Sequence, residues 1–150
     1  MADDLFLAID VGTGSVRAAL VDVKGKILSI AVREHEQIVP QFGWSEQRPA
    51  DWWQGVAAAI REVLDTAPDA RSRIAAVSAC GQMHGTVLVD GNGVLTRETA
   101  PLWNDKRTVD YVTAFERAHA PAKYLAESAN PPTPAWPGFK LQWLRDNDPS

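Results

Sequence analysis

Apolar residues occupy positions 5–9 without a break, and the run stops at Asp10 and the Gly12/Gly14 pair. A short apolar stretch ended by an acid and glycines predicts a buried strand entering a tight loop. Residues 16–23 are rich in Val, Ala and Leu and finish on Asp22-Val-Lys-Gly25, a turn signal; residues 27–32 then read as a third strand. Strand, loop, strand, turn, strand makes an antiparallel meander and not a crossover unit.

Beyond a linker at 40–48 the period changes from two to between three and four. Pro49 suits a first helical turn, and Trp53, Val56, Ala57, Ile60, Val63 and Leu64 then mark one face of an amphipathic helix that ends near Ala67-Pro68. Residues 74–80 and 86–89 are apolar enough to be interior strands, with the polar Gln82-Met-His-Gly85 between them and a Gly91-Asn-Gly93 turn after them. A polar loop between two buried strands is a natural place for a site. The remainder reads as helix at 109–119, 122–128 and 140–145, with Pro131, Pro132, Pro134 and Pro137 stiffening the loop before the last. The finish at Asp148-Pro-Ser150, directly after a helix, suggests that the polypeptide continues.

Composition narrows the class. With 150 residues, 45% of them hydrophobic, the chain has enough material for one compact domain. Its net charge of −4 and the lack of any Lys/Arg stripe argue against nucleic acid as a partner. The single cysteine, Cys80, has no partner for a disulfide and reads as a small buried hydrophobe in a reducing compartment. The acidic start lacks a secretory n-region, and no segment approaches the ~20 apolar residues that span a bilayer, so the expected location is cytoplasmic.

The loop after the first strand carries the chemistry. Two glycines let backbone N–H groups converge on an anion, and Thr13 and Ser15 add hydroxyl donors. Asp10 could hold a hydrated Mg2+ that bridges phosphates, and Arg17 could screen their charge. A Walker A loop is absent, and a dinucleotide fingerprint fails because Arg17 stands where its third glycine belongs and a strand follows where it needs a helix. An ordinary hairpin turn is the competing reading of Gly12 and Gly14.

Five separated segments then point to a family. Asp10-Val-Gly-Thr-Gly-Ser-Val-Arg17 after Ile9, Trp44-Ser-Glu-Gln47 followed by Trp52-Trp53, Gly81-Gln-Met-His-Gly85, Trp103-Asn-Asp105, and Lys140-Leu-Gln-Trp-Leu144 stand in the order found in the FGGY carbohydrate kinases. The chain resembles the N-terminal part of that family and within it is most similar to xylulokinases. The resemblance implies an α/β fold, the N-terminal lobe of an actin-like ATPase (ribonuclease H-like), whose mixed sheet begins with a three-stranded antiparallel meander flanked by helices. Residues 1–150 would be the sugar-binding lobe of a longer enzyme, with the ATP-binding lobe beyond them.

The resemblance further implies that Gly12, Thr13, Gly14, Ser15 and Arg17 hold the nucleotide phosphates, with Asp10 as metal ligand and nearest approach to a catalytic residue. Met83, His84 and Asp105 would line the sugar pocket, and Trp103 could offer an apolar face to the C–H side of a sugar. A carboxylate accepts two sugar hydroxyls and an imidazole donates or accepts one. Asp105 also has a plainer reading as a helix N-cap. The tryptophans read mainly as packing residues, with at least one of Trp52 and Trp53 buried. Glycerol kinases of the family carry Arg-Glu where Met83-His84 stands, which favours a ketose or larger polyol. Residues 130–139 depart from the xylulokinase pattern and leave the sugar open.

The expected reaction is transfer of the γ-phosphoryl of ATP, as its Mg2+ complex, to a primary hydroxyl such as that of D-xylulose. In the family the base is an aspartate beyond the region matched here, so the segment by itself is expected to be inert. Expected partners are the sugar and MgATP, with no nucleic acid and no membrane, and a homodimer of the full-length protein as an open alternative. Two other readings stand beside this one: a sugar- or nucleotide-sensing domain without phosphotransfer, and a structural or interaction domain whose loops only make turns.

Overall fold

A computed structural model of the chain describes residues 4–148, so Asp3 of the acidic start and the Pro149-Ser150 finish lie outside it. Its strands are β1 (Leu5–Val11), β2 (Ser15–Asp22), β3 (Ile27–Glu34), β4 (Glu46–Gln47), β5 (Ile74–Gly81) and β6 (Ala100–Pro101). Its helices are α1 (Pro49–Asp65), α2 (Ala70–Arg73), α3 (Val109–Ala118), α4 (Leu125–Ser128) and α5 (Pro137–Asn147). In place of one undivided core, the chain forms two compact units. The first comprises residues up to Gln37 with Arg48–Gln82, the second Ile38–Gln47 with the residues from Met83 on.

The first unit is a mixed sheet in the order β3-β2-β1-β5, the first three antiparallel and β5 parallel to β1. The expected meander is present. Asp22 fixes its second turn by accepting the N–H groups of Lys24 and Lys26 on Oδ1, while Gly25 takes φ +80°, a conformation that favours glycine. One face of the sheet gives Leu5, Leu7, Ala18, Leu20 and Ala31 to a core closed by Ala59 and Val63 of α1 and by Ala70. Burying each of those leucines stabilises the fold by ~1.5–3 kcal/mol. Gly55 lets α1 approach the sheet, since a Cβ there would lie 3.2 Å from Val16 Cγ2.

Three expectations in this unit need correction. β5 is an edge strand, exposed along most of its length, because no further strand pairs with its outer side among the described residues. Cys80 on that strand is therefore exposed, not a buried hydrophobe. Neither tryptophan of α1 is buried: Trp52 is half-buried and Trp53 is 73% exposed.

The second unit is built from loops and helices. β4 and β6 pair over two residues, and Ile38 bridges Glu46. The strand expected at 86–89 does not form; only Val89 bridges, to Leu95, around a turn in which Asp90 accepts the N–H groups of Asn92 and Val94. Aspartate side-chain turns compete with strand pairing, and here the turn wins. The helix expected at 122–128 divides into a 3-10 turn at Pro121–Lys123 and the single turn α4, which ends on Ala129 in the left-handed region at φ 55°. α5 begins at Pro137, three residues before its expected start, because proline fits the first helical position.

Candidate phosphate and sugar sites

In the first unit, the β1–β2 register pairs Asp10 with Arg17 across the hairpin, and Arg17 Nη1 donates to Asp10 Oδ2 at 3.3 Å. Both side chains remain about half exposed, at 44% and 50%. On the other side of β1, the parallel register sets Cys80 beside Asp10, and its thiol donates to Asp10 Oδ1 at 3.5 Å. That hydrogen bond, with burial and the carboxylate's charge, pushes the Cys80 thiol pKa up. Asp10 thus stands between a cation and a thiol at the mouth of the loop.

The loop closes by a hydrogen bond from Gly12 N–H to Ser15 O at 3.0 Å, and Gly14 O accepts His35 N–H. Gly12 and Gly14 are not in the positive-φ region, so conformational freedom is not why glycine stands there. Gly12 is needed for space, since a Cβ would lie 3.1 Å from Ser15 O. At Gly14 a Cβ would meet nothing within 4 Å: the fold itself makes no demand for glycine at this position.

In the second unit, the polar loop turns at His84, a non-glycine residue in the left-handed region at φ 58°. Met83 is 68% exposed and His84 is exposed. Thr86 N–H donates to Pro101 O on β6 at 3.1 Å, and Lys140 Nζ donates to His84 O at 2.7 Å. His84 opens onto a cleft of about 390 Å³ whose other walls are Ser128, Asn130, Pro131, Thr133 and Trp136. The size and the mixture of hydroxyl, amide, imidazole and indole groups suit a small polyhydroxylated molecule.

Asp105, expected at the sugar, is tied into the protein interior. The residue is completely buried; Ser45 N–H donates to Oδ2 at 2.7 Å, and Arg107 binds both oxygens through Nε at 2.9 Å and Nη2 at 2.8 Å. Its Oδ1 also accepts Arg107 N–H, a local turn and not a helix cap, for α3 starts at Val109 after Thr108. Arg107 in turn pairs with Glu46 and lies 3.9 Å from the centre of the Trp44 ring and 4.9 Å from that of Trp143. Burial opposes the Arg107 charge, but Asp105 and Glu46 outweigh it and raise its pKa.

Trp103 is 43% exposed, and its neighbour Asn104 has a buried Oδ1 with no hydrogen-bond partner among the described residues. An unpaired buried acceptor marks Asn104 as a site candidate that sequence reasoning passed over, since an asparagine in a loop carries no signal by itself. Among the described residues no group of three or more His, Cys, Asp or Glu could hold a metal, and no helix is long and apolar enough to cross a membrane.

Residues 5–150 match the profile of the N-terminal domain of the FGGY family of carbohydrate kinases. A glycerol kinase of Burkholderia cenocepacia (strain HI2424) is 34% identical over 149 residues, 99% of this chain and 30% of that enzyme. A solved xyloylose kinase from Brucella ovis superposes with a TM-score of 0.89 at 30% identity, over 97% of this chain and 29% of that one. The xylulose kinase from Rhodospirillum rubrum gives 0.89 at 28% identity, over 95% of this chain and 29% of that one. The chain thus spans about 30% of the length of the curated relatives it matches. The expected fold is the observed one: an α/β actin-like ATPase (ribonuclease H-like) lobe with a mixed sheet and flanking helices.

Proposed function

The chain belongs to the FGGY family of carbohydrate kinases, and from that premise we propose that it supplies the phosphate hairpin and the sugar contacts of an ATP-dependent kinase acting on a ketose or a polyol larger than glycerol. The cleft beside His84 carries this reading, because it offers an exposed imidazole and several polar side chains in a space fit for a sugar. Met83 and His84 replace the Arg-Glu pair of glycerol kinases, and a thioether beside an imidazole suits a longer ligand with one carbonyl and several hydroxyls. Trp103, partly exposed though not a wall of this cleft, would supply an apolar face. Asp105 is committed to Arg107 and the Ser45 backbone and is not a wall of this cleft.

At the hairpin, the loop backbone and the Thr13 hydroxyl would meet the nucleotide phosphates with Arg17 offsetting their charge, while Ser15, expected beside them, is buried and closes the loop through its carbonyl. A single half-exposed carboxylate fits Mg2+, which keeps most of its water and takes one or two carboxylates together with phosphate oxygens. Asp10 would hold that ion, whose chemistry is to neutralise charge on the phosphates. In the transfer the sugar hydroxyl oxygen bonds to the γ-phosphorus as the bond to ADP breaks. The hydroxyl proton passes to a base that the resemblance assigns to the remainder of the enzyme.

The deciding experiment is ATP turnover by the full-length protein with D-xylulose, glycerol and a panel of pentuloses and polyols. Phosphorylation of a ketose or larger polyol in preference to glycerol is expected. Preference for glycerol would reject the substrate class, and tight sugar binding without turnover would favour a sensor.

A further inference from the structure

Lys140 is fully buried, and it sits in the first turns of α5. Burying an ammonium without an ion-pair partner is costly, and a methionine would fill the same space without that cost. The nearby carboxylate of Asp105 attracts it, but that carboxylate's short hydrogen bonds go to Arg107 and Ser45. What the ammonium does make is a 2.7 Å hydrogen bond to the carbonyl oxygen of His84.

That carbonyl belongs to the residue held at φ 58°. A histidine in the left-handed region costs on the order of 1–3 kcal/mol and persists only where its surroundings hold it there. Thr86 N–H ties the far end of the loop to Pro101, and Lys140 binds the turn itself. Lys140 also follows Trp136, which caps α5, and its own N–H points to Trp136 O at 3.4 Å. His84 and Trp136 are two walls of the same cleft.

We propose that Lys140 is a positioning residue for sugar binding: by grasping the His84 carbonyl from the helix that carries Trp136, it holds the imidazole in its left-handed turn and sets the distance between the two walls. This rests on the reading of the cleft as the sugar site. The groups facing the ammonium are His84 from its loop, Asp105 and Arg107 from the segment before α3, and, through Arg107, Glu46 of β4.

The test uses the full-length protein and its Lys140→Met variant. Amide hydrogen exchange should show Thr86 losing protection by about tenfold or more while the amides of α5 keep theirs. The KM for D-xylulose should rise by about ten- to a hundredfold with the KM for ATP unchanged. Unaltered protection of Thr86 would overturn the proposal whatever the sugar does. If D-xylulose fails to bind even the unmodified protein, the sugar reading falls, and the exchange result still decides the role of Lys140. Should the variant not fold, the unmodified protein is followed from pH 7 to 9.5. The bond loses its charge as Lys140 titrates near about 8, and the protection of Thr86 relative to α5 should fall severalfold. A constant ratio would count against the proposal.

Discussion

The Asp105 carboxylate and the Arg107 guanidinium meet side-on in a two-point ion pair from which solvent is excluded, the side chains being 0% and 1% exposed. Both are further tied, Asp105 to Ser45 N–H and Arg107 to Glu46 and two tryptophan rings. Removing one partner of such a pair strands the other charge in the interior. Asp105→Ala is therefore expected to destabilise the protein by about 3–5 kcal/mol, measured by denaturant unfolding. A loss below about 1 kcal/mol, with sugar affinity selectively impaired, would restore Asp105 to direct contact with the ligand.

Arg107→Lys should be nearly as damaging as loss of the carboxylate. Lysine offers neither the planar fork that spans both Asp105 oxygens nor a flat face for Trp44. Thermal unfolding should show a drop comparable to that of Asp105→Ala. An unperturbed melting temperature would mean that charge alone, not geometry, matters at this position.

The hairpin offers a sharper test, because its two glycines differ in what the fold asks of them. A methyl group at Gly14 meets nothing, and the backbone there is not left-handed, so Gly14→Ala should leave stability unchanged or raise it by ~0.4–1 kcal/mol. If nucleotide phosphates come against this loop, the same methyl should raise the KM for ATP about tenfold. At Gly12 the methyl would press on Ser15 O, and both stability and ATP binding should suffer. An unchanged KM for ATP in Gly14→Ala would leave the hairpin as no more than a turn.

The meander is legible in the sequence because apolar runs broken by Asp10 with Gly12 and Gly14, and by Lys24-Gly25, are local information. Helix α1 is legible for the same reason. The strand expected at 86–89 fails because Asp90 turns the chain by binding its own neighbours, a choice that apolar periodicity does not record. The burial of Asp105 is hidden more deeply. It depends on Arg107 packing on Trp44 and Trp143, residues that are far apart in sequence and whose meeting is tertiary. His84 is identifiable only through the family resemblance, and its left-handed backbone follows no glycine or asparagine signal.

Asp10 couples the hairpin to a thiol, and that coupling is measurable without any substrate. Its hydrogen bond from Cys80 raises the thiol pKa, so Asp10→Asn should lower that pKa and speed alkylation of exposed Cys80 at pH 8. The exposed pair with Arg17 contributes little to stability, and unfolding should shift by less than ~1 kcal/mol. Phosphotransfer by the full-length protein should fall by about a hundredfold or more while sugar binding, read by calorimetry, persists. Equal alkylation rates in both proteins would break the proposed contact.

Lys140 makes stability depend on pH in a direction that can be worked out. Burial lowers its folded pKa from the ordinary 10.5 to about 8; Arg107 lowers it further and Asp105 opposes both. Below pH 8 both folded and unfolded chains carry the proton and the full cost of burying the charge is present. Between pH 8 and 10.5 the unfolded chain binds more protons, so this group's contribution to stability rises with pH, by roughly 3 kcal/mol at ~1.4 kcal/mol per pKa unit. Lys140→Met has no such group, and every other titration is shared by the two proteins. Urea unfolding of both, at intervals from pH 7 to 10.5, should therefore show the unmodified protein gaining on the variant as pH rises. A difference that stays flat, or shrinks, would mean that the ammonium is not buried against the His84 carbonyl.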